Sequence, residues 1–124
     1  MNFSDNQSIY LQITELVKER ILLSAWKEDE KIPSVRDLAA ELQVNPNTVM
    51  RAYDFLQQEG IIYNKRGLGN YVSPDAKEKI LTSRRERFLQ SELPALFRNL
   101  SLLNIGFDEM ERLYKKFTEE NHKH

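Results

Sequence analysis

Cysteine is absent from this 124-residue chain, which removes disulfides, thiolate nucleophiles and cysteine-ligated zinc from consideration and suits a reducing cytoplasm. Histidine is nearly absent as well. His122 and His124 stand at the extreme C-terminus, where chains fray, so they read as tail rather than as catalysts or ligands. No apolar run approaches the roughly 18 residues of a membrane span. The opening MNFSDNQSIY also lacks a basic segment followed by an apolar one, so the expectation is a cytoplasmic protein, neither secreted nor membrane-embedded. An excess of one charge sign is missing too. The formal net charge is -1, which gives no general pull toward a polyanion, and any nucleic-acid binding has to rest on local charge. The carboxylates are spread along helix faces and no nucleophile has a histidine partner, so no enzyme, cofactor or metal site is expected.

What is present describes a largely helical globular protein: 30% charged residues, 40% hydrophobic residues, and four each of glycine and proline, a balance unlike that of disordered or fibrous chains. The length allows one domain with a core plus an appendage. From Ser8 to about Ala25, the residues Ile9, Ile13, Leu16, Val17 and Ile21 recur at helical spacing among polar neighbours, which predicts a first helix. Trp26 to Pro33 is charged and ends in Ile32-Pro33, so a short strand or turn belongs there. Ser34 is a good N-cap with Asp37 three residues on, and Val35, Leu38, Ala39 and Leu42 supply the apolar face of a short second helix. After Gln43-Val44, Asn45 caps a third helix and Pro46 occupies its first position, where a missing N–H costs nothing. Val49, Ala52, Tyr53 and Leu56 face inward, and Gly60 is a natural stop.

Ile61 to Tyr63 and Tyr71-Val72 favour strands, and the glycine-containing loop from Asn64 to Asn70 joins them as a hairpin. From Ala76 to Leu103 the pattern is helical again, with Leu89, Leu93, Leu96, Leu100 and Leu103 close to a heptad seam. Pro94 interrupts that run, kinking it or starting a new helix at Leu93-Pro94. Beyond Gly106 the residues Phe107, Met110, Leu113, Tyr114 and Phe117 share one face. Asp108 and Glu109 are expected in the first turn of this last helix and Lys115 and Lys116 in its final one, matching the helix dipole.

Helix, extended segment, helix, tight turn, helix and hairpin, in that order, make a winged helix-turn-helix. The fold class expected is mainly α with a small β-hairpin: a winged helix-turn-helix DNA-binding domain over residues 1–74, then a C-terminal helical dimerisation segment over 75–124. Residues 9–73 resemble the DNA-binding domain of the GntR family of bacterial transcription regulators. The motifs are IYLQI at 9–13, KIPSVRDLAAEL at 31–42, VNPNTVMRAYDFLQQEGII at 44–62 and RGLGNYV at 66–72. VNPNTV, the AY pair and the short tail resemble the YtrA-like branch of that family.

The resemblance implies a DNA contact for Arg36, the arginine of PSVRDLA; the plain alternative is a solvated arginine paired with Asp37 or Glu41. It also implies that the reading residues lie at the start of the third helix, here Asn45, Asn47, Thr48, Met50 and Arg51. Chemically, Asn47 suits adenine N6 and N7, Thr48 a phosphate or thymine methyl, and Arg51 guanine or phosphate. Asn45 is explained equally well as a cap, and Met50 either touches a base or packs. Many family members carry arginine where Pro46 and Met50 stand, so this face has less charge than usual. On the wing, Lys65, Arg66, Gly67, Gly69 and Asn70 put positive charge at a glycine-softened tip suited to closely spaced phosphates.

In the tail, the seam of Leu89, Leu93, Leu96, Phe97, Leu100 and Leu103 packs internally or against a second copy, and the shortage of residues for a closed core favours the homodimer. Lys77, Lys79, Arg84, Arg85 and Arg87 read as a solvated basic helix face. The leading expectation is a homodimeric repressor on a near-palindromic double-stranded DNA operator, which in the branch it resembles often belongs to an ATP-driven transporter operon. The competing one is a winged-helix protein-interaction module that binds no DNA. No polar cluster in the tail marks a small-molecule effector site.

Overall fold

The computed structural model describes residues 8–121; His122 and His124 lie outside them. The first helix, α1, spans Ile9–Leu22, with the backbone N–H groups of Leu11 and Gln12 both donating to the Ser8 carbonyl. Ile13, Val17 and Ile21, one turn apart, are completely buried. The helix stops short of the expected Ala25 because Ser24 takes a left-handed conformation (φ 62°). The N–H groups of Ala25 and Trp26 turn back onto the Arg20 carbonyl, which closes the helix end.

The α2 helix (Val35–Leu42) begins as its sequence dictates: the Ser34 hydroxyl accepts from the Asp37 N–H at 3.0 Å. Gln43, left-handed at φ 57°, ends it. Two residues later the Asn45 side-chain oxygen accepts from the Asn47 N–H at 2.8 Å, and Pro46 opens α3 (Pro46–Gln58). Val49, Ala52, Tyr53 and Leu56 all turn into the core. Tyr53 carries a polar handle into that core, and its hydroxyl donates to the Pro33 carbonyl at 2.7 Å. Burial pushes the phenol well above its ordinary pKa.

The hairpin is longer than the apolar runs suggest. Strand β1 is Ile62–Lys65 and β2 is Gly69–Val72, antiparallel, with Tyr63 opposite Tyr71 and Asn64 opposite Asn70. Only residues 66–68 remain as the turn, so Lys65, Gly69 and Asn70 belong to strands rather than to a loop. The charged segment before α2 adds a third edge. Lys31 bridges Tyr71, the Ile32 N–H donates to the Asn70 carbonyl, and the Val72 N–H donates to that of Glu30.

The fourth helix, α4 (Ala76–Arg87), starts inside the same core, where Ala76 and Ile80 are buried beside the residues of α1–α3. The described residues up to Ser83 therefore form one compact unit, which passes the sequence-based boundary at residue 74. Lys77 bonds the Ser24 hydroxyl and Lys79 reaches Asp75 (3.3 Å) and the Gly60 carbonyl (3.4 Å), so these two cations tie the helix start down rather than forming a free basic face.

From Arg84 onward a second unit follows. A π-helical turn, Phe88–Glu92, leads directly into α5 (Leu93–Leu102). Pro94 lies in the first turn of α5 and has no N–H to donate to the preceding helical turn. The Leu93 N–H donates to the Phe88 carbonyl, five residues back, a widening that accommodates the proline ring. Asn104, left-handed at φ 57°, closes α5. The last helix, α6, spans Phe107–Asn121, so Lys115 and Lys116 lie mid-helix instead of in its final turn, and Lys115 pairs with Glu111 at 3.3 Å. The helix continues through Phe117–Asn121 because that stretch holds no glycine or proline. None of the described residues of this unit is buried. No described helix is long and apolar enough to cross a membrane.

Tyr53→Phe removes one buried hydrogen bond and leaves the Pro33 carbonyl unpaired, so it should cost about 1 kcal/mol in urea unfolding. The unfolded phenol ionises near pH 10 while the folded one stays protonated. Stability should therefore fall as pH rises above about 10, and more steeply in the parent than in Tyr53→Phe.

Candidate nucleic-acid interface

With one side of α3 committed to the core, the opposite side has to face solvent. It carries Asn47, Met50 and Arg51, all exposed, with Thr48 half-buried at the edge. The polarity of this first turn divides by residue. Asn45 spends its side-chain oxygen on the Asn47 N–H, and its carbonyl accepts from Thr48, so its geometry is accounted for by starting the helix. Asn47 and Arg51 are not needed for that. Met50 is half exposed, which rules out core packing as its role. Asp54, one turn further along, is exposed on the same side, and its charge opposes a polyanion, so along α3 itself the N-terminal end meets a phosphate backbone more favourably than the turns beyond Arg51.

Arg51 is held in place. Its guanidinium carbon lies 3.9 Å above the centroid of the Tyr10 ring, within cation–π distance. Tyr10 in turn meets Phe55 of α3 edge-on, with centroids 6.4 Å apart. The starts of α1 and α3 thereby share one shallow depression, lined by Ser8, Tyr10, Asn45, Asn47, Thr48 and Arg51. The sequence reading placed Tyr10 only as part of a motif. Its aromatic character beside a helix start was the available signal.

Arg36 is exposed at the beginning of α2. Neither alternative partner takes it: Glu41 pairs with Arg20 of α1, and among the described residues no ion pair links Arg36 to Asp37. On the hairpin, Tyr63 and Tyr71 stack at 5.7 Å, and the Lys65 ammonium lies 4.4 Å from the Tyr71 ring. Arg66 and Leu68 are exposed in the turn. Gly67 is required there by its backbone (φ 78°), since the space around it is open. Gly69 is required by its backbone as well (φ 123°). The end of the Lys31 side chain passes close beside it, with Cε 2.9 Å from where a Cβ would stand, which brings to the wing a cation that sequence reasoning did not assign.

Asn70, grouped with the DNA contacts from sequence, has its side-chain oxygen engaged inside the protein. It accepts from Gln57 Nε2 at 3.0 Å and from Asn64 Nδ2 at 3.2 Å, joining the last turn of α3 to both strands of the wing. Gln57 was not singled out from sequence. In the second unit Leu93, Leu96 and Leu100 are half-buried, while Leu89, Phe97 and Leu103 are exposed.

Residues 9–72 match the bacterial regulatory proteins of the gntR family. The chain is 36% identical over 110 residues to the HTH-type transcriptional repressor YtrA of Bacillus subtilis (strain 168), a span covering 89% of this chain and 84% of that protein. A GntR-family crystal structure from Bacteroides thetaiotaomicron superposes with a TM-score of 0.79 at 43% identity, over 92% of this chain and 99% of that one. The DNA-binding domain of AraR, solved in complex with operator ORX1, superposes with a TM-score of 0.52 at 26% identity, over 59% of this chain and 89% of that one.

The Gln57–Asn70–Asn64 cluster should behave as one unit. Gln57→Ala and Asn70→Ala are each expected to cost about 0.5–1.5 kcal/mol in urea unfolding. The double variant should cost little more than Asn70→Ala alone, because that substitution already removes the Gln57–Asn70 bond. Full additivity would show that the two amides act independently.

Proposed function

Starting from a chain that belongs to the gntR family of bacterial regulatory proteins, we propose that it is a homodimeric repressor that reads a near-palindromic DNA operator with the N-terminal end of α3. The observation that carries this reading is the division of α3 into a buried apolar face and an outward polar one, with Asn47 and Arg51 exposed where neither capping nor packing requires them. In a winged helix-turn-helix this is the end that enters the major groove, where asparagine pairs with adenine and arginine with guanine. Arg36, Lys65 and Arg66 supply sequence-independent attraction to phosphates, and their exposure leaves them available for it.

The second unit supports the dimer. Phe97, Leu102 and Leu103 are each more than half exposed, as are Phe107, Leu113 and Tyr114. A helical segment with that much uncovered apolar surface gains by burying it against an identical copy. A two-fold axis places two α3 helices on half-sites about one helical turn apart, hence the near-palindrome. Repression follows from occupying a promoter, and the likeness to the YtrA-like branch points to an operon for an ATP-driven transporter as the target.

Binding to random duplex DNA should weaken steeply with added salt, with a log–log slope that becomes shallower by roughly 1 for each of Arg36, Lys65 and Arg66 replaced by alanine. Absence of binding even at low salt would favour a protein-interaction module instead. On an operator selected from a random pool, Asn47→Ala and Arg51→Ala should each cost about 1–3 kcal/mol and relax preference at one position per half-site. Full-length Leu89→Asp/Phe97→Asp should sediment as a monomer with intact helicity; a stable dimer would remove this seam from the interface.

A further inference from the structure

We infer that Tyr10, at the start of α1, is a positioning residue for sequence discrimination: by stacking under the guanidinium of Arg51 it aims that side chain at the base it reads. The inference rests on the DNA-reading role proposed above for Arg51. Three observations converge on it. The guanidinium carbon is 3.9 Å above the Tyr10 ring, close enough for ring and guanidinium to be in face-to-face contact. The ring itself is fixed, since Tyr10 packs against the core cluster and meets Phe55 edge-on at an interplanar angle of 66°. The depression they share also holds Asn45, Asn47 and Thr48, so the stack stands at the end of α3 that carries the other candidate reading residues.

The chemistry of the stack explains why it helps rather than competes. A guanidinium is planar, and its N–H donors lie in its plane. Contact through the face leaves the edge free for the two parallel hydrogen bonds that guanine O6 and N7 accept. A solvated arginine loses rotamer freedom when it docks on a base, whereas one already stacked has lost much of it beforehand. An ion pair would fix Arg51 differently, by occupying the donors themselves, and among the described residues Arg51 forms none. A ring supplied by α1 also makes discrimination by α3 depend on a second helix, so the reading end is an assembly of two helix starts.

The test uses the full-length chain and an operator selected by it from a random duplex pool. Tyr10→Leu is expected to raise Kd for that operator roughly three- to tenfold and to reduce preference at the position where Arg51→Ala relaxes it. Random-duplex affinity should change less than about twofold, because the phosphate contacts remain. In an Arg51→Ala background Tyr10→Leu should have no further effect on operator affinity. Tyr10→Phe, which keeps the ring face, should match the parent. Mono-, di- and trifluorinated phenylalanines at position 10 preserve shape while withdrawing electron density from the face, so Kd should rise stepwise with fluorination when Arg51 is present and stay flat in Arg51→Ala. That series decides the matter even if Tyr10→Leu melts below the assay temperature. A Tyr10→Leu effect that persists in Arg51→Ala, a flat fluorine series, or tighter operator binding on loss of the ring would overturn the inference while leaving the functional reading intact. Failure of the parent chain to enrich any sequence would overturn the functional reading, and this inference with it.

Discussion

Tyr53 is buried at its ring and satisfied at its hydroxyl, and this double constraint fixes how α3 is rotated about its own axis. The ring sits among apolar residues contributed by α1, α2 and the hairpin. The hydroxyl has to find an acceptor in that setting, because a buried phenol left unpaired costs about 1–3 kcal/mol. The acceptor is the Pro33 carbonyl, immediately before the Ser34 cap of α2. One side chain therefore couples the rotation of α3 to the starting point of α2. A small rotation of α3 would break that bond and turn Asn47 and Arg51 away from their present side, so the outward polar face is a consequence of the inward polar contact.

Helix starts were legible in the sequence because capping is local. Ser34 and Asn45-Pro46 each mark a start that depends only on neighbours two or three residues away, and the inward residues of α3 follow from the 3.6-residue period. The ends were less legible, because Ser24, Gln43 and Asn104 adopt left-handed conformations that the residue types only permit. The wing was half readable. Its aromatic residues announced strands, but the pairing of Lys65 with Gly69 and of Asn64 with Asn70 is a property of the ladder. The third edge at Lys31 exists because β2 offers free backbone groups to it. The burial of Ala76 and Ile80 was hidden for a similar reason, since they and the exposed Leu81 are the apolar positions of a very polar helix and make no strong stripe. The Tyr10–Arg51 stack joins residues far apart in the chain, which no periodicity encodes.

Net charge was the weakest guide. The value of -1 counts charges without their positions, and several of each sign are paired off: Glu41 with Arg20, Glu59 with Lys18, Asp75 with Lys79. These pairs brace α1 against the ends of α2 and α3 and anchor α4. Arg36, Arg51 and Arg66 make no such pairs among the described residues. A chain neutral by bookkeeping is thus uneven in space, and for an approaching polyanion the local field matters more than the total.

The cluster of Gln57, Asn64 and Asn70 is made of amides alone. Neutral hydrogen bonds are not weakened by counterions, and the amides have no proton to lose or gain near neutral pH. The spacing between α3 and the hairpin is therefore insulated from ionic strength and pH, whereas the field of the exposed cations Arg36, Lys65 and Arg66 is screened by salt. A rise in salt would weaken that field without changing which face α3 presents.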